Sequence, residues 1–200
     1  MKTVINEAQL YGGKNQGIIQ SRVSIYHKVG ASYSNVEDAW CSSFAYWCLE
    51  SSDPKFETPH SPGSESFINH KTVEKCEAFY GAIATFSDCD SQGNITTGKG
   101  HVTFVYGKLR GDKIYAVLGG NQNKMIKVSQ YDCSENAFFS YKKKNGTKIY
   151  KKFRGFFKPI GYAIKEIDKL TNPDNYNNID DANKKIGLSS IKTTIGEKDN

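Results

Sequence analysis

A cysteine, a histidine and an asparagine stand near the ends of predicted secondary-structure elements, and their side chains suit one kind of chemistry. Cys41 lies near the start of an apolar segment, His101 opens a β-like segment, and Asn121 follows the next one. A thiolate attacks a carbonyl carbon, an imidazole takes and returns the proton, and an amide oxygen holds the imidazole ring. The three residues therefore predict nucleophilic catalysis by a cysteine.

The segment that carries Cys41, residues 39–48, has the pattern of a buried helix. Trp40, Phe44 and Trp47 recur at helical spacing, and the segment contains both tryptophans of the chain. Asp38 stands three residues before Cys41, and we predict that it is the N-cap, which would put the thiol at the positive end of the helix dipole. That position favours the thiolate, although a buried cysteine with a purely structural role fits the same pattern.

The clearest β-hairpin in the sequence carries His101. Residues 101–106 and 113–118 are alternating or apolar, and a turn that contains Arg110 and Gly111 separates them. If these two residues form the turn, His101 lies opposite Gly120. Strict alternation then turns Gln122, and not Asn121, to the face of His101, so Asn121 needs a bulge near Gly120 to reach the ring. The sequence leaves the choice between the two amides open.

The other three histidines have surroundings that favour structural roles. His27 lies near the C-terminal end of a predicted helix, where we expect a solvated or capping role. His60 and His70 lie in a predicted loop or on a short surface helix. His101 is therefore the strongest candidate for an imidazole base.

The elements that must position these residues follow one another along the chain. Two helices are predicted before Cys41, at residues 3–12 and 17–29. After it we predict, in order, a loop (51–66), a short helix or turn (67–76), a buried strand (82–86), a polar loop (87–99), the hairpin, a strand (125–129), a second hairpin (138–141 with 149–153) and a last strand (156–164). The polar remainder, residues 166–200, is predicted to be a flexible or loosely docked tail.

Three motifs, in order and spacing, resemble those of a bacterial hydrolase family. They are WCSSFAYWCL (residues 40–49), GHVTFV (100–105) and LGGNQ (118–122). These are similar to the WCAAFVNWCL, GHVGFYVG and LGGNQ motifs of CHAP-like proteins, which are related to the NlpC/P60 peptidoglycan hydrolases and occur in phage lysins and toxin-like effectors. The resemblance covers about residues 17–130, and Thr103 departs from it where a glycine is common.

The resemblance implies a fold and a set of roles. The fold is α+β and papain-like, with N-terminal helices and the nucleophile helix packed on a small antiparallel sheet, and residues 1–165 form the catalytic domain. Cys41 is the implied nucleophile, His101 the general base and Asn121 the orienting residue. The implied activity is that of a cysteine amidase or peptidase that cleaves an amide bond of peptidoglycan without a cofactor. A protease or deamidase acting on a host protein and a non-catalytic wall-binding module are the alternatives.

Charge and cysteine content agree with such a protein. Lys and Arg number 27 against 21 Asp and Glu, a net charge of +6 that suits an anionic partner such as nucleic acid, a membrane surface or a bacterial cell wall. The charge alone does not choose among these partners. The five cysteines show no zinc-ligand spacing, and Cys89 and Cys133 are candidates for a disulfide in an oxidising compartment. We expect no metal, no nucleic-acid partner and no membrane insertion.

The sequence also carries expectations about location. The first residues lack the apolar core of a signal peptide. We therefore expect synthesis in the bacterial cytoplasm and action at the wall after lysis or after delivery by a type VI secretion machine. An effector of that kind would have a cognate immunity protein in the cell that produces it, by the habit of the family.

Overall fold

The computed structural model describes residues 1–30, 35, 38–61, 63–110, 113–135, 138–142, 146, 148–171 and 175–188. These residues form a mixed α+β fold in which helices pack on one largely antiparallel sheet. The α-helices are α1 (Lys2–Tyr11), α2 (Gln20–Gly30), α3 (Cys41–Glu50) and α4 (Ile179–Lys185). The predicted α+β class is confirmed, and so are the two helices expected before Cys41.

The sheet contains eight strands in the described part of the chain. They are β1 (Val73–Cys76), β2 (Ile83–Cys89), β3 (Ile95–Leu109), β4 (Ile114–Gly119), β5 (Lys127–Asp132), β6 (Phe138–Lys142), β7 (Lys148–Pro159) and β8 (Asn175–Tyr176). The main order is β1-β7-β2-β3-β4-β5, with β6 paired to β7 and β8 paired in parallel to β3. The hairpin predicted around His101 is formed by β3 and β4.

Three of the predicted boundaries are wrong. The short helix or turn expected at 67–76 is instead a 3-10 helix at Ser64–Phe67 followed by β1. The polar loop expected at 87–99 shrinks to residues 90–94, because its flanks extend β2 and β3. The last two predicted strands, 149–153 and 156–164, are joined in one strand, β7, by a bulge at Gly155 (φ 141°), and the strand ends at Pro159, where a break was expected.

Alternate residues of the strands face two separate hydrophobic clusters. Val102, Phe104 and Leu118 face the helices, and their cluster, called here the helix-side cluster, includes Cys41 and Phe44. Residues such as Phe86, Val117 and Tyr131 face the other way and form the far-side cluster. The rings of Phe86 on β2 and Tyr131 on β5 lie 4.7 Å apart although two strands separate them, so the sheet curls around the far-side cluster.

A buried ion pair joins the three N-terminal helices. Glu7 of α1 is 2% exposed, and its carboxylate accepts hydrogen bonds from Arg22 and from the hydroxyl of Tyr26, both on α2. The Arg22 guanidinium also lies 4.3 Å from the ring centre of Trp47 on α3. Because a buried carboxylate is costly unless it is paired, this network fixes how α1 and α2 sit against α3.

Residues 175–188, within the segment expected to be a flexible or loosely docked tail, are packed on the rest of the fold. Tyr176, Ile179 and Ile186 are buried in the helix-side cluster. Asn183 of α4 is 1% exposed, and its amide pairs with Val128 of the edge strand β5, accepting from the backbone N–H and donating to the backbone C=O, both at 2.9 Å. Helix α4 therefore covers a sheet edge that would otherwise present backbone groups for pairing. Residues 189–200 lie outside the described part.

Replacing Asn183 should weaken the attachment of α4 to the edge strand β5. Asn183→Ala leaves the N–H and C=O of Val128 buried without that partner, so we expect it to lower the free energy of unfolding by about 1–3 kcal/mol. The measurement is chemical denaturation at equilibrium. Lys184→Ala, on the exposed side of the same helix, is the matched control and should change stability by less than about 0.5 kcal/mol. Equal effects of the two substitutions would contradict the role of Asn183.

Candidate active site

Cys41 is the first residue of α3 and is 4% exposed. The N-cap is Trp40, and no side chain accepts a hydrogen bond there, so the prediction that Asp38 caps the helix is wrong. The physical reason is position: a cap residue directly precedes the helix, and Asp38 is two residues too early. The first turn also holds no acidic side chain, so the amide groups at the helix start are not neutralised by a carboxylate of that turn.

Neighbouring side chains hold this first turn in place. The indole N–H of Trp40 donates to Oε1 of Gln16 at 2.9 Å, and its ring stacks on Tyr26 with 5.9 Å between centroids. Two residues after Cys41, Oγ of Ser43 is hydrogen-bonded to Nδ1 of His27 at 3.0 Å. The turn that carries Cys41 is therefore fixed on two sides by α2 and by the segment before it.

His27 is the first site neighbour that sequence reasoning misjudged. It is 3% exposed and bonded to α3, not solvated or engaged in capping as predicted. Burial lowers the pKa of His27, and the nearby charge of Asp38 only partly opposes that shift. Val23, Tyr26 and His27 share one helix face by their spacing, which was an available signal for burial.

The corner at the end of β4, formed by residues 119–122, touches the first turn of α3. A methyl group placed on Gly120 would lie 2.6 Å from the Trp40 ring and 2.7 Å from Cβ of Phe44. A methyl group on Gly119 would lie 2.6 Å from Oγ1 of Thr103 on β3. Two adjacent glycines are thus required, because the corner is pressed between the helix on one face and strand β3 on the other.

The two amides of this corner have different roles. Gln122 is fully buried, and its Nε2 donates to the backbone carbonyls of Lys127 at 2.5 Å and of Gly119 at 3.3 Å. The amide nitrogen of Gln122 is therefore used to brace the corner. Asn121 is 6% exposed and has a left-handed backbone (φ 57°), a conformation that asparagine tolerates better than most residues. Because Oε1 of Gln122 has no hydrogen-bond partner among the described residues, these contacts leave both amides available to hold an imidazole ring.

The register of β3 and β4 differs from the predicted one. Phe104 pairs with Leu118 and Val105 with Val117, and a bulge follows before Gly107 pairs with Ala116. Next to the turn the pairing is two positions from the predicted one, and the bulge reduces the difference to one. Continued past the end of β4 at Gly119, this register would put His101 across from Asn121, where the predicted two-residue turn had put Gly120. Asn121 itself lies beyond the ladder and has a left-handed backbone.

His101 itself is fully buried on the far side of the sheet. Its backbone pairs with Phe86 of β2, and its ring stacks on Tyr131 with 5.7 Å between centroids and 12° between planes. Tyr131 belongs to the far-side cluster, whereas Cys41 belongs to the helix-side cluster. The prediction ended the third strand at Ser129 and so missed Tyr131, which alternation from Lys127 would have placed on that face.

The structure thus brings two of the three motifs into direct contact. The turn of Cys41 meets the corner of Asn121 at Gly120. The register of β3 and β4, continued three positions past the pair of Phe104 and Leu118, would set His101 opposite Asn121. At the corner, Gly120 contacts the helix side and Gly119 contacts Thr103 of β3. The thiol and the imidazole approach it from different clusters.

Metal binding and bilayer insertion gain no support from the described residues. No three or more His, Cys, Asp or Glu side chains in those residues are grouped to hold a metal ion. Cys89 and Cys133, considered as a disulfide, are both thiols. Within the part of the chain that the structure describes, no helix is both long and apolar enough to cross a bilayer.

Comparison of the chain with protein-family models, with curated proteins and with solved structures found no significant match. The family resemblance therefore rests on the three motifs. Further support for a function comes from the geometry described above.

The contact between Gly120 and α3 can be tested by adding one methyl group. Gly120→Ala must displace Trp40 or Phe44, both fully buried, so we expect a loss of about 1–3 kcal/mol in the free energy of unfolding. Gly17→Ala is the control, because the nearest atom to its added methyl lies 3.6 Å away. Thermal and urea denaturation measure both. A Gly120→Ala protein as stable as the control would contradict the close contact.

The burial of His27 predicts a pH dependence of stability. Because its pKa is lowered in the folded state, the unfolded chain binds a proton more readily, and stability rises with pH. We expect stability to fall as the pH drops below about 6.5, the ordinary value for histidine. His27→Gln should flatten this part of the profile, and an unchanged profile in that variant would contradict the prediction. Urea denaturation from pH 5 to 8 gives the comparison.

Proposed function

We propose that this chain is a papain-like cysteine hydrolase, CHAP-like in its motifs, that cleaves an amide bond of peptidoglycan. Cys41 is the nucleophile, His101 the general base and Asn121 the residue that orients His101. One observation carries the proposal: the corner of Asn121 is packed on the helix turn of Cys41, with Gly120 against Trp40 and Phe44. Two motifs separated by about 70 residues in sequence thus form one junction.

The register of β3 and β4 supports the role of the third motif. His101 and Asn121 occupy facing positions when the observed pairing is continued. The proposal requires the thiol of Cys41 and the ring of His101, which pack on different clusters, to meet beside the corner. The bonds that Gln122 Nε2 donates to backbone carbonyls leave its Oε1 without a hydrogen-bond partner among the described residues, so Gln122 is the alternative to Asn121 as the residue that holds the ring.

The chemistry follows from these positions. Cys41 loses its proton to His101, and its sulfur attacks the carbonyl carbon of the scissile amide. Backbone N–H groups at the start of α3 point towards the anion that forms on the carbonyl oxygen. The protonated His101 then gives its proton to the leaving nitrogen as the C–N bond breaks. Water, activated by the same imidazole, hydrolyses the thioester and restores the thiol.

The substrate class rests on the family motifs and on charge. A net charge of +6 suits an anionic polymer such as the cell wall, whose stem peptides carry carboxylates. The fold does not determine which amide is cut, because loops beside the nucleophile select the bond. Antibacterial use after lysis or secretion, and a cognate immunity protein, belong to the same proposal.

Substitution of the nucleophile tests the proposal most directly. Cys41→Ala should lower hydrolysis of purified cell walls by several orders of magnitude and leave the fold intact, since little volume is removed. Cys48→Ala is the matched control on the same helix: Cys48 is buried in the helix-side cluster, and its loss should affect stability and not rate. His101→Ala should match Cys41→Ala, and Asn121→Ala should retain partial activity. Full hydrolytic activity of the Cys41→Ala protein would contradict the proposal.

The products identify the bond and separate the alternatives. Mass spectrometry of digested muropeptides would show intact stem peptides freed from the glycan for an amidase, and shortened stems or severed cross-links for an endopeptidase. Wall binding without any mass change would indicate a wall-binding module. A change in a protein substrate, with walls untouched, would indicate a protease or deamidase.

A further inference from the structure

Four aromatic rings form a continuous row on the far side of the sheet, and His101 stands at its end. The row runs from His101 to Tyr131 (5.7 Å between centroids), on to Phe86 (4.7 Å) and then to Phe153 (5.6 Å). His101, Tyr131 and Phe86 are each at most 1% exposed. The imidazole is therefore enclosed by aromatic surface on the far side.

Two different strands hold the ring. Phe86 is the backbone pairing partner of His101 on β2, so their side chains lie side by side on the same face. Tyr131 comes from β5, two strands away on the other side, and reaches His101 because the sheet curls. The angle of 12° between the rings is nearly parallel, so rotation of the imidazole out of its plane would collide with Tyr131.

We propose that Tyr131 is a positioning residue that fixes the plane of the His101 imidazole. A hydrogen bond from an amide aligns one edge of the ring, whereas stacking restrains the plane, so the two restraints are independent. The π-face of Tyr131 also stabilises the imidazolium that forms when His101 takes a proton. The effect on rate rests on the proposed function, but the restraint on the ring does not.

The variants separate stacking from core packing. Tyr131→Phe keeps the ring, and Tyr131→Leu replaces it with an apolar side chain. Phe153→Leu is the matched control, because Phe153 belongs to the same row and contacts Phe86, one ring further from His101. Each protein is examined by thermal denaturation, by wall hydrolysis and by NMR of the His101 ring protons, assigned with His101→Gln.

We expect Tyr131→Leu to lower kcat roughly 10- to 100-fold with little change in KM, since a misplaced catalytic group loses rate and not binding. Tyr131→Phe should restore kcat to within about threefold of the original. Phe153→Leu should reduce the melting temperature yet keep kcat. The His101 ring protons should lose their ring-current shift in Tyr131→Leu and retain it in Tyr131→Phe. Equal kcat values for Tyr131→Leu and Phe153→Leu would overturn the positioning role.

The NMR measurement keeps this inference distinct from the proposed function. If the protein hydrolyses nothing, or if His101→Gln leaves hydrolysis intact, the proposed function fails. The ring-current shifts still decide whether Tyr131 restrains the imidazole. If those shifts are the same in Tyr131→Leu as in the original protein, the stacking itself is absent and the inference fails, whatever the activity.

Discussion

The contact between a glycine corner and a buried helix is the constraint on which the rest of this structure depends. Gly120 lies so close to Trp40 and Phe44 that a single added methyl would overlap both. The contact sets the distance between α3 and the sheet, because neither partner can move without opening the helix-side cluster. It also gives the rings of Trp40 and Phe44 a packing partner at the end of the helix where Cys41 lies.

Several polar contacts hold the corner and the first turn of α3 in place. Gln122 ties the corner to the strands on both sides of it, and Gln16 and His27 hold the first turn of α3 from the helical side. All three side chains are buried, where a polar group without a partner would be costly. Each of these contacts ends on the corner or on the first turn of α3, so together they restrain the segment that carries Cys41.

The curl of the sheet has a different consequence. It creates a second cluster on the far side, and His101 belongs to the aromatic row within it. The candidate site therefore lies at the junction of two cores, with the thiol on one and the imidazole on the other. A histidine enclosed in this way is restrained by packing from several strands. Its environment depends on Tyr131 and Phe86, which carry no catalytic chemistry of their own.

The sequence by itself determined the elements whose patterns are local. The spacing of Trp40, Phe44 and Trp47 predicted α3, and alternation predicted the hairpin of β3 and β4, because side-chain periodicity reports the buried face of one element. The residue types of the motifs around Cys41, His101 and Asn121 also indicate one chemistry. The roles of the three residues remain a proposal.

Only the tertiary structure decided how these elements meet. The pairing of β3 with β4 beside the turn, and the bulge between Val105 and Gly107, are not specified by the turn residues of the hairpin. The burial of His27, the stacking of Tyr131 on His101 and the docking of α4 through Asn183 all join residues that are 16 to 55 positions apart. Their energies come from contacts between distant segments. Local composition does not encode such contacts, so a polar stretch that resembled a flexible tail is part of the core.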